Sequence, residues 1–147
     1  MNVVTADAEI SAHELRLSVM RLVRRLRRER AEDGLSYQKC AVLGWLEREG
    51  PLTNADLATA ERVAPQTMMR TTADLVAADL ISRTDDPSDR RQVLLRIRPA
   101  GVDILEEDRR RRDSFLAKAM ATELTPTERE LLRLAAGLLD RLSEVHE

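Results

Sequence analysis

Aromatic side chains are almost missing. Tyr37, Trp45 and Phe115 are the whole set, 2% of the chain, and three rings cannot wall a pocket on several sides. A single cysteine, Cys40, excludes a disulfide framework and makes the cytoplasm the default compartment. The two histidines, His13 and His146, lie far apart, and no His, Cys or carboxylate cluster has metal-ligand spacing, so no metal or cofactor is expected. There is no glycine-rich phosphate loop and no nucleophile with a histidine partner, so no enzyme is expected. No apolar run approaches the ~18 residues of a membrane span, and no basic-then-apolar leader opens the chain. Charge of one sign is lacking too: the net value of −2 exerts no global pull on nucleic acid.

What is present suits a folded, helix-rich protein. Hydrophobic residues make up 43% and charged residues 34% of 147, enough for one domain with a real core. Charge distribution says more than the sum. Between Arg62 and Arg98 there are seven arginines against five aspartates, while glutamates gather near the C-terminus. Arginine suits planar, two-pronged contact with phosphates and guanine edges.

Periodicity and capping signals predict the elements. Ser11, with Glu14 three residues on, reads as the cap of a first helix with the stripe Leu15, Val19, Leu22, Val23 and Leu26, ending near Asp33-Gly34; residues 1–9 carry no periodic signal. The arginines on its other face, Arg16 to Arg30, are a solvated surface or an approach to phosphates. Ser36 caps a second helix, Tyr37–Glu49, stopped by Gly50-Pro51, with Ala41, Val42, Trp45 and Leu46 inward. Thr53, with Asp56, caps a third helix to about Glu61. A fourth, about Ala64–Ala78, opens on Pro65, where proline costs little. Its apolar set is Met68, Met69, Leu75 and Val76, and Gln66, Thr67, Arg70 and Thr71 cluster in its first two turns. Strands are predicted at Leu80–Thr84 and Gln92–Ile97, around a tip with Asp89, Arg90 and Arg91 that is shaped to enter a narrow minor groove. Asp89 is expected to hold the Arg91 side chain.

A long helix follows, about Pro99–Thr122. Its run Arg109–Arg112 cannot share one helical face, so at least one arginine should meet a partner or a carboxylate. Thr125-Pro126-Thr127-Glu128 caps a last helix whose leucines cover more than one stripe, so burial on two sides is expected, one by a second copy of the chain. The fold class is mainly α with a small β-hairpin wing.

Helix, turn, helix, strand, charged tip and strand is the order of a winged helix-turn-helix. The sequence resembles the MarR family of bacterial winged-helix regulators from about residue 11 to 145. The most specific pieces are Ala55-Asp56-Leu57-Ala58, Thr67-Met68-Met69-Arg70, Leu80-Ile81-Ser82-Arg83, Asp86-Pro87-Ser88-Asp89-Arg90-Arg91 and Gly101. The resemblance implies a homodimer on a pseudo-palindromic operator, usually as a repressor. The helices of about 11–35 and 99–147 would pair, and the lobe of about 36–98 would bind double-stranded DNA. It implies that Pro65, Gln66, Thr67 and Arg70 meet the major groove and that Asp89 and Arg91 form an Asp-x-Arg wing whose arginine reaches the minor groove; Thr71 in the same two turns and Arg90 at the same tip are the further candidates from their positions. Many members respond to small aromatic anions; Arg16, Tyr37 and Trp45 are the candidate wall here. Others sense oxidants through a cysteine near the start of the first helix. Cys40 lies elsewhere and reads as a packing residue. Two positions depart from the family pattern. Asp79 replaces the usual glycine before the wing, and Ile97-Arg98 replaces a Leu-Thr that would cap the long helix. The rival reading is a helical dimeric protein-interaction module that keeps the fold without specific DNA binding.

Overall fold

The computed structural model describes residues 3–29 and 34–145, with side chains from residue 11 onward. Six helices and one hairpin follow in order: α1 (Val3–Arg27), α2 (Tyr37–Glu49), α3 (Asn54–Glu61), α4 (Pro65–Ala77), β1 (Ile81–Asp85), β2 (Val93–Ile97), α5 (Pro99–Glu123) and α6 (Pro126–Ser143).

Local signals account for most boundaries. The Ser36 hydroxyl accepts from the Lys39 amide at the start of α2. Thr53 and Asp56 form a reciprocal capping box on α3, and Thr125 and Glu128 do the same on α6. Gly50 ends α2 at φ 81°, a conformation glycine adopts without penalty. Asp79 takes the left-handed φ of 60° before β1, in the place of the family's glycine. Arg98 precedes α5 with no side-chain cap, as the missing hydroxyl predicts. These two departures meet: Arg98 Nη1 lies 3.2 Å from Asp79 Oδ1.

The first helix departs from its predicted bounds. It runs back to Val3, so Ser11 and Glu14 stand inside it rather than at its cap. The preceding stretch has alanine and glutamate and no proline or glycine, so nothing stops the helix there. At the other end α1 closes at Arg27, with amides of Arg28 and Glu29 donating to carbonyls three residues back. Arg30 and Asp33 lie outside the described residues, and the predicted closure at Asp33-Gly34 falls there with them.

The core belongs to the middle of the chain. Val42, Leu43, Leu57, Met68 and Leu75 are fully buried, and Leu46, Ile81 and Leu95 nearly so. They join α2, α3, α4 and the hairpin into one lobe. The antiparallel strands pair Ile81 with Ile97 and Asp85 with Val93 at their ends. Leu52 adds a third short edge, exchanging backbone bonds with Leu95 of 3.2 and 2.8 Å. Leu105 of α5 and Cys40 of α2 close the top of this core. Gly101 lets α5 approach the lobe: a Cβ there would stand 2.3 Å from the Leu80 carbonyl oxygen.

The run Arg109–Arg112 resolves into ion pairs on several faces. Arg109 reaches Glu47 of α2 at 2.7 Å, Arg110 and Arg111 share Glu107, and Arg112 pairs with Asp108. In α6 no residue is buried within the chain. Leu131, Leu132, Leu134, Leu138, Leu139 and Leu142 are all 40% exposed or more.

Candidate nucleic-acid interface

Two turns and a set of side-chain clamps fix the attitude of α4. Arg62 takes a left-handed φ of 52° and closes α3, its amide donating to Thr59 O at 3.2 Å. Val63 then donates to Ala58 O, and Pro65 opens α4 with its fixed φ. Met68 and Leu75 anchor the helix in the core. Thr71 and Thr72 are buried beside them, at 7% and 3% exposure. The Thr72 hydroxyl lies 2.7 Å from Asn54 Oδ1 of α3, and the Thr71 hydroxyl 3.3 Å from Gln38 Oε1 of α2. Each also lies within reach of a carbonyl one turn back, so neither buried hydroxyl lacks an acceptor. Lys39 Nζ adds an ion pair of 3.0 Å to Asp74. α4 is thus tied to both helices beneath it.

The opposite face is open. Pro65, Gln66, Thr67, Met69, Arg70 and Ala73 are all exposed. Two predicted positions change sides. Met69, expected in the core, is 59% exposed, and Thr71, expected among the outward residues, is buried. The inward series is 68, 71, 72, 75, the spacing of one helical stripe. Hydrophobicity alone had assigned Met69 inward; the helical phase overrides it.

The wing tip is held by short-range carboxylate bonds. Asp86 Oδ1 accepts from the Ser88 amide at 2.8 Å and the Ser88 hydroxyl at 2.7 Å. These bonds hold the Asp86 carboxyl below the usual aspartate range, the hydroxyl being the larger cause. Asp89 Oδ1 accepts from the Arg91 amide at 3.0 Å. Asp89 therefore orders the Arg91 backbone, not its guanidinium as expected. Arg90 and Arg91 are exposed at the tip.

A cavity of about 280 Å³ lies between α2 and α5, lined among others by Tyr37, Trp45, Arg48, Arg109 and Arg112. The Arg48 guanidinium stands 4.7 Å over the Trp45 ring, and the indole N–H donates to Glu61 Oε1 at 2.6 Å. Tyr37 and Trp45 thus come together as expected. Arg16 does not join them: it lies beside His13, 3.4 Å from Nδ1. Eleven helical residues, about 16 Å of rise, separate it from Arg27, the α1 side chain that does reach the Tyr37 ring. Sequence reasoning missed Arg48 and the α5 arginines. Arg48 lies three residues after Trp45 on the same helix face, a signal that was available. Cys40 also lines this cavity and is 7% exposed, as a packing residue should be.

The comparisons with known proteins agree with this geometry. The MarR family model matches residues 35–93, most of the lobe. An uncharacterized HTH-type transcriptional regulator of Mycobacterium bovis is 38% identical over 134 residues, covering 91% of this chain and 92% of that protein. A crystal structure of a Pseudomonas aeruginosa protein described as a transcriptional regulator superposes with a TM-score of 0.83 at 33% identity, covering 97% and 99% of the two chains. BpsR of Bordetella bronchiseptica, studied for the regulation of its DNA binding by 6-hydroxynicotinic acid, is 25% identical with a TM-score of 0.66 over 92% and 94%. The chain belongs to the MarR family of winged helix-turn-helix transcriptional regulators.

Proposed function

We propose that the chain acts in the cytoplasm as a homodimer that binds a pseudo-palindromic operator in duplex DNA and represses a neighbouring operon. The lobe of about 36–98 contacts DNA, and the helices of about 11–35 and 99–147 pair the two copies. The observation that carries this reading is the outer face of α4. Gln66, Thr67 and Arg70 stand exposed in its first two turns, while the opposite face is locked by Met68, Thr71, Thr72 and Leu75. A helix entering the major groove presents its N-terminal residues to the base edges. Arginine pairs with guanine, glutamine with adenine, and threonine with a thymine methyl or a phosphate. Pro65 lies alongside them. Arg90 and Arg91 enter the adjacent minor groove, with Asp89 ordering the backbone of the tip. Thr71 acts from within, as a clamp on α4.

The exposed leucines of α6 support pairing with a second copy, because an apolar face of this length is unstable in water. We also infer a small anionic, heteroaromatic effector. The cavity between α2 and α5 offers the Tyr37 and Trp45 rings and the Arg48 guanidinium, with Arg109 and Arg112 paired to Glu47 and Asp108 beside them and Glu61 held by the indole N–H. The response of BpsR to 6-hydroxynicotinic acid supports that ligand chemistry. A ligand wedged where the lobe meets α5 would shift the spacing of the two α4 helices away from the one helical turn, roughly 34–36 Å, that DNA requires.

The test is titration of purified protein against DNA from its own upstream region and against scrambled DNA, across a salt series. Specific binding near 10⁻⁸ M or tighter, weakening as salt rises, is the expected outcome. Equal, weak binding to every genomic fragment would favour a protein-interaction module instead.

A further inference from the structure

We infer that Met69 is a specificity residue that reads the 5-methyl group of a thymine in the operator. The inference rests on the DNA-binding reading above and adds to it one contact of defined chemistry. Met69 is 59% exposed on a helix whose inward stripe is already filled by Met68 and Leu75. Apart from Tyr37, it is the one large apolar side chain of the lobe exposed to this degree among the described residues. Core packing therefore does not account for it.

Its position on α4 points to the occupant. At about 100° per residue, Met69 stands about 60° to one side of Gln66, and Arg70 about 40° to the other. Ala73 falls between Gln66 and Met69, and its small side chain leaves the stripe open to close approach. The face thus grades from cationic at Arg70, through the amide of Gln66, to apolar at Met69 and Ala73. The edge of an A·T pair in the major groove offers a matching sequence of groups. Adenine presents an acceptor and a donor for the amide, and its thymine presents a carbonyl and a methyl group. The methyl is the apolar feature that sets this edge apart, and a flexible thioether can cover it without precise alignment. A cation beside an apolar side chain also suits a duplex, where phosphates flank the base edges.

The experiment uses the full chain and synthetic duplexes. Tight-binding sequences are selected from a random pool, and each thymine in turn is replaced by deoxyuridine, which lacks only the methyl group. For the wild type, one position per half-site should weaken binding about three- to fivefold, the effect of burying one methyl group. The Met69→Ala protein, which loses the contact in both half-sites, should bind the thymine site about ten- to twenty-fivefold more weakly and be indifferent to deoxyuridine at that position. Met69→Leu should retain the discrimination. Melting curves should match for all three, since the residue is exposed. The proposal is overturned if no single replacement changes wild-type affinity, or if Met69→Ala pays the same deoxyuridine penalty as the wild type. Selection that enriches no sequence at all would overturn the DNA-binding reading itself, and this contact with it.

Discussion

Between Tyr37 and Ile97 the large apolar side chains are buried or half-buried, and the two exceptions, Tyr37 and Met69, lie at the candidate ligand and DNA surfaces. In α6 the pattern reverses: six leucines in one helix are exposed and none of its residues is buried. Much of α1 behaves likewise, with Leu15, Val19, Met20, Leu22 and Val23 exposed. The lobe has a core of its own, closed by Leu105 of α5. The flanking helices α1 and α6 carry apolar side chains at helical spacing that the single chain leaves uncovered. α5 joins the two regions, with Gly101 and Leu105 buried against the lobe and its second half only partly covered.

This contrast can be broken most strongly in α6. Leu134→Asp combined with Leu138→Asp removes two side chains from the seam we propose. Both copies carry the changes, so four leucines leave the seam; at about 1.5–3 kcal/mol each when buried, dimer dissociation should rise by roughly 10⁴-fold or more. Sedimentation velocity would show monomers, with the helical signal of the lobe retained. An unchanged dimer would move the seam elsewhere.

The joint between the regions comes next. Gly101→Ala puts a Cβ 2.3 Å from the Leu80 carbonyl oxygen and 2.9 Å from Ile97 Cγ1. Neither the backbone oxygen nor the packed isoleucine can yield freely, so a loss of about 1–3 kcal/mol is expected in urea unfolding. Gly137 of α6 offers a control, because a Cβ there meets nothing within 4 Å in the single chain.

A smaller effect tests how the wing is tied to α5. Asp79 and Arg98 form an exposed pair of 3.2 Å, and both replace the residues usual in the family. A double-mutant cycle of Asp79→Asn with Arg98→Ala should give a coupling below about 1 kcal/mol that fades in high salt. Asparagine keeps the tolerance for the left-handed backbone, so the cycle reports the charge alone.

The smallest effect lies at the start of α6. The Thr125 amide and hydroxyl hold the Glu128 carboxyl below the usual glutamate range. A depressed folded-state pKa gives a contribution that is complete above the unfolded value and lost as pH falls through the folded one. Melting temperature should therefore be insensitive to this cap from pH 8 to 5 and decline only in stronger acid. Glu128→Gln should flatten that acid decline.

Capping chemistry made most of the fold legible in advance. Ser36, Thr53, Thr125 and Gly50 act in the structure as their residue types imply, because these signals are local and need no tertiary partner. Ser11 shows the limit. A serine three residues before a glutamate is also compatible with a helix interior, and the residues before it decide. Within α4 the candidate site was legible as a helix with a polar N-terminal half, but the sides of Met69 and Thr71 were not. Threonine carries both a methyl and a hydroxyl, and in a helix the hydroxyl can bond the carbonyl one turn back, as Thr71 does to Thr67 O, so residue type alone does not decide which side it takes. Arg48 was legible beside Trp45 on α2, but the α5 arginines of the cavity join it through the packing of α2 on α5, which no single stretch of sequence displays.

The most direct measurement of the account is the ratio of specific to nonspecific DNA affinity for Arg70→Ala against the wild type. Arg70 is exposed and lies on the outer face of α4, so the variant should fold and melt as the wild type does. If α4 reads bases, the ratio falls by at least about tenfold, because a two-pronged arginine contact discriminates by about 1–3 kcal/mol and each dimer carries two. If the ratio is unchanged while the protein remains folded, the outer face of α4 is not the reading surface and the central claim fails.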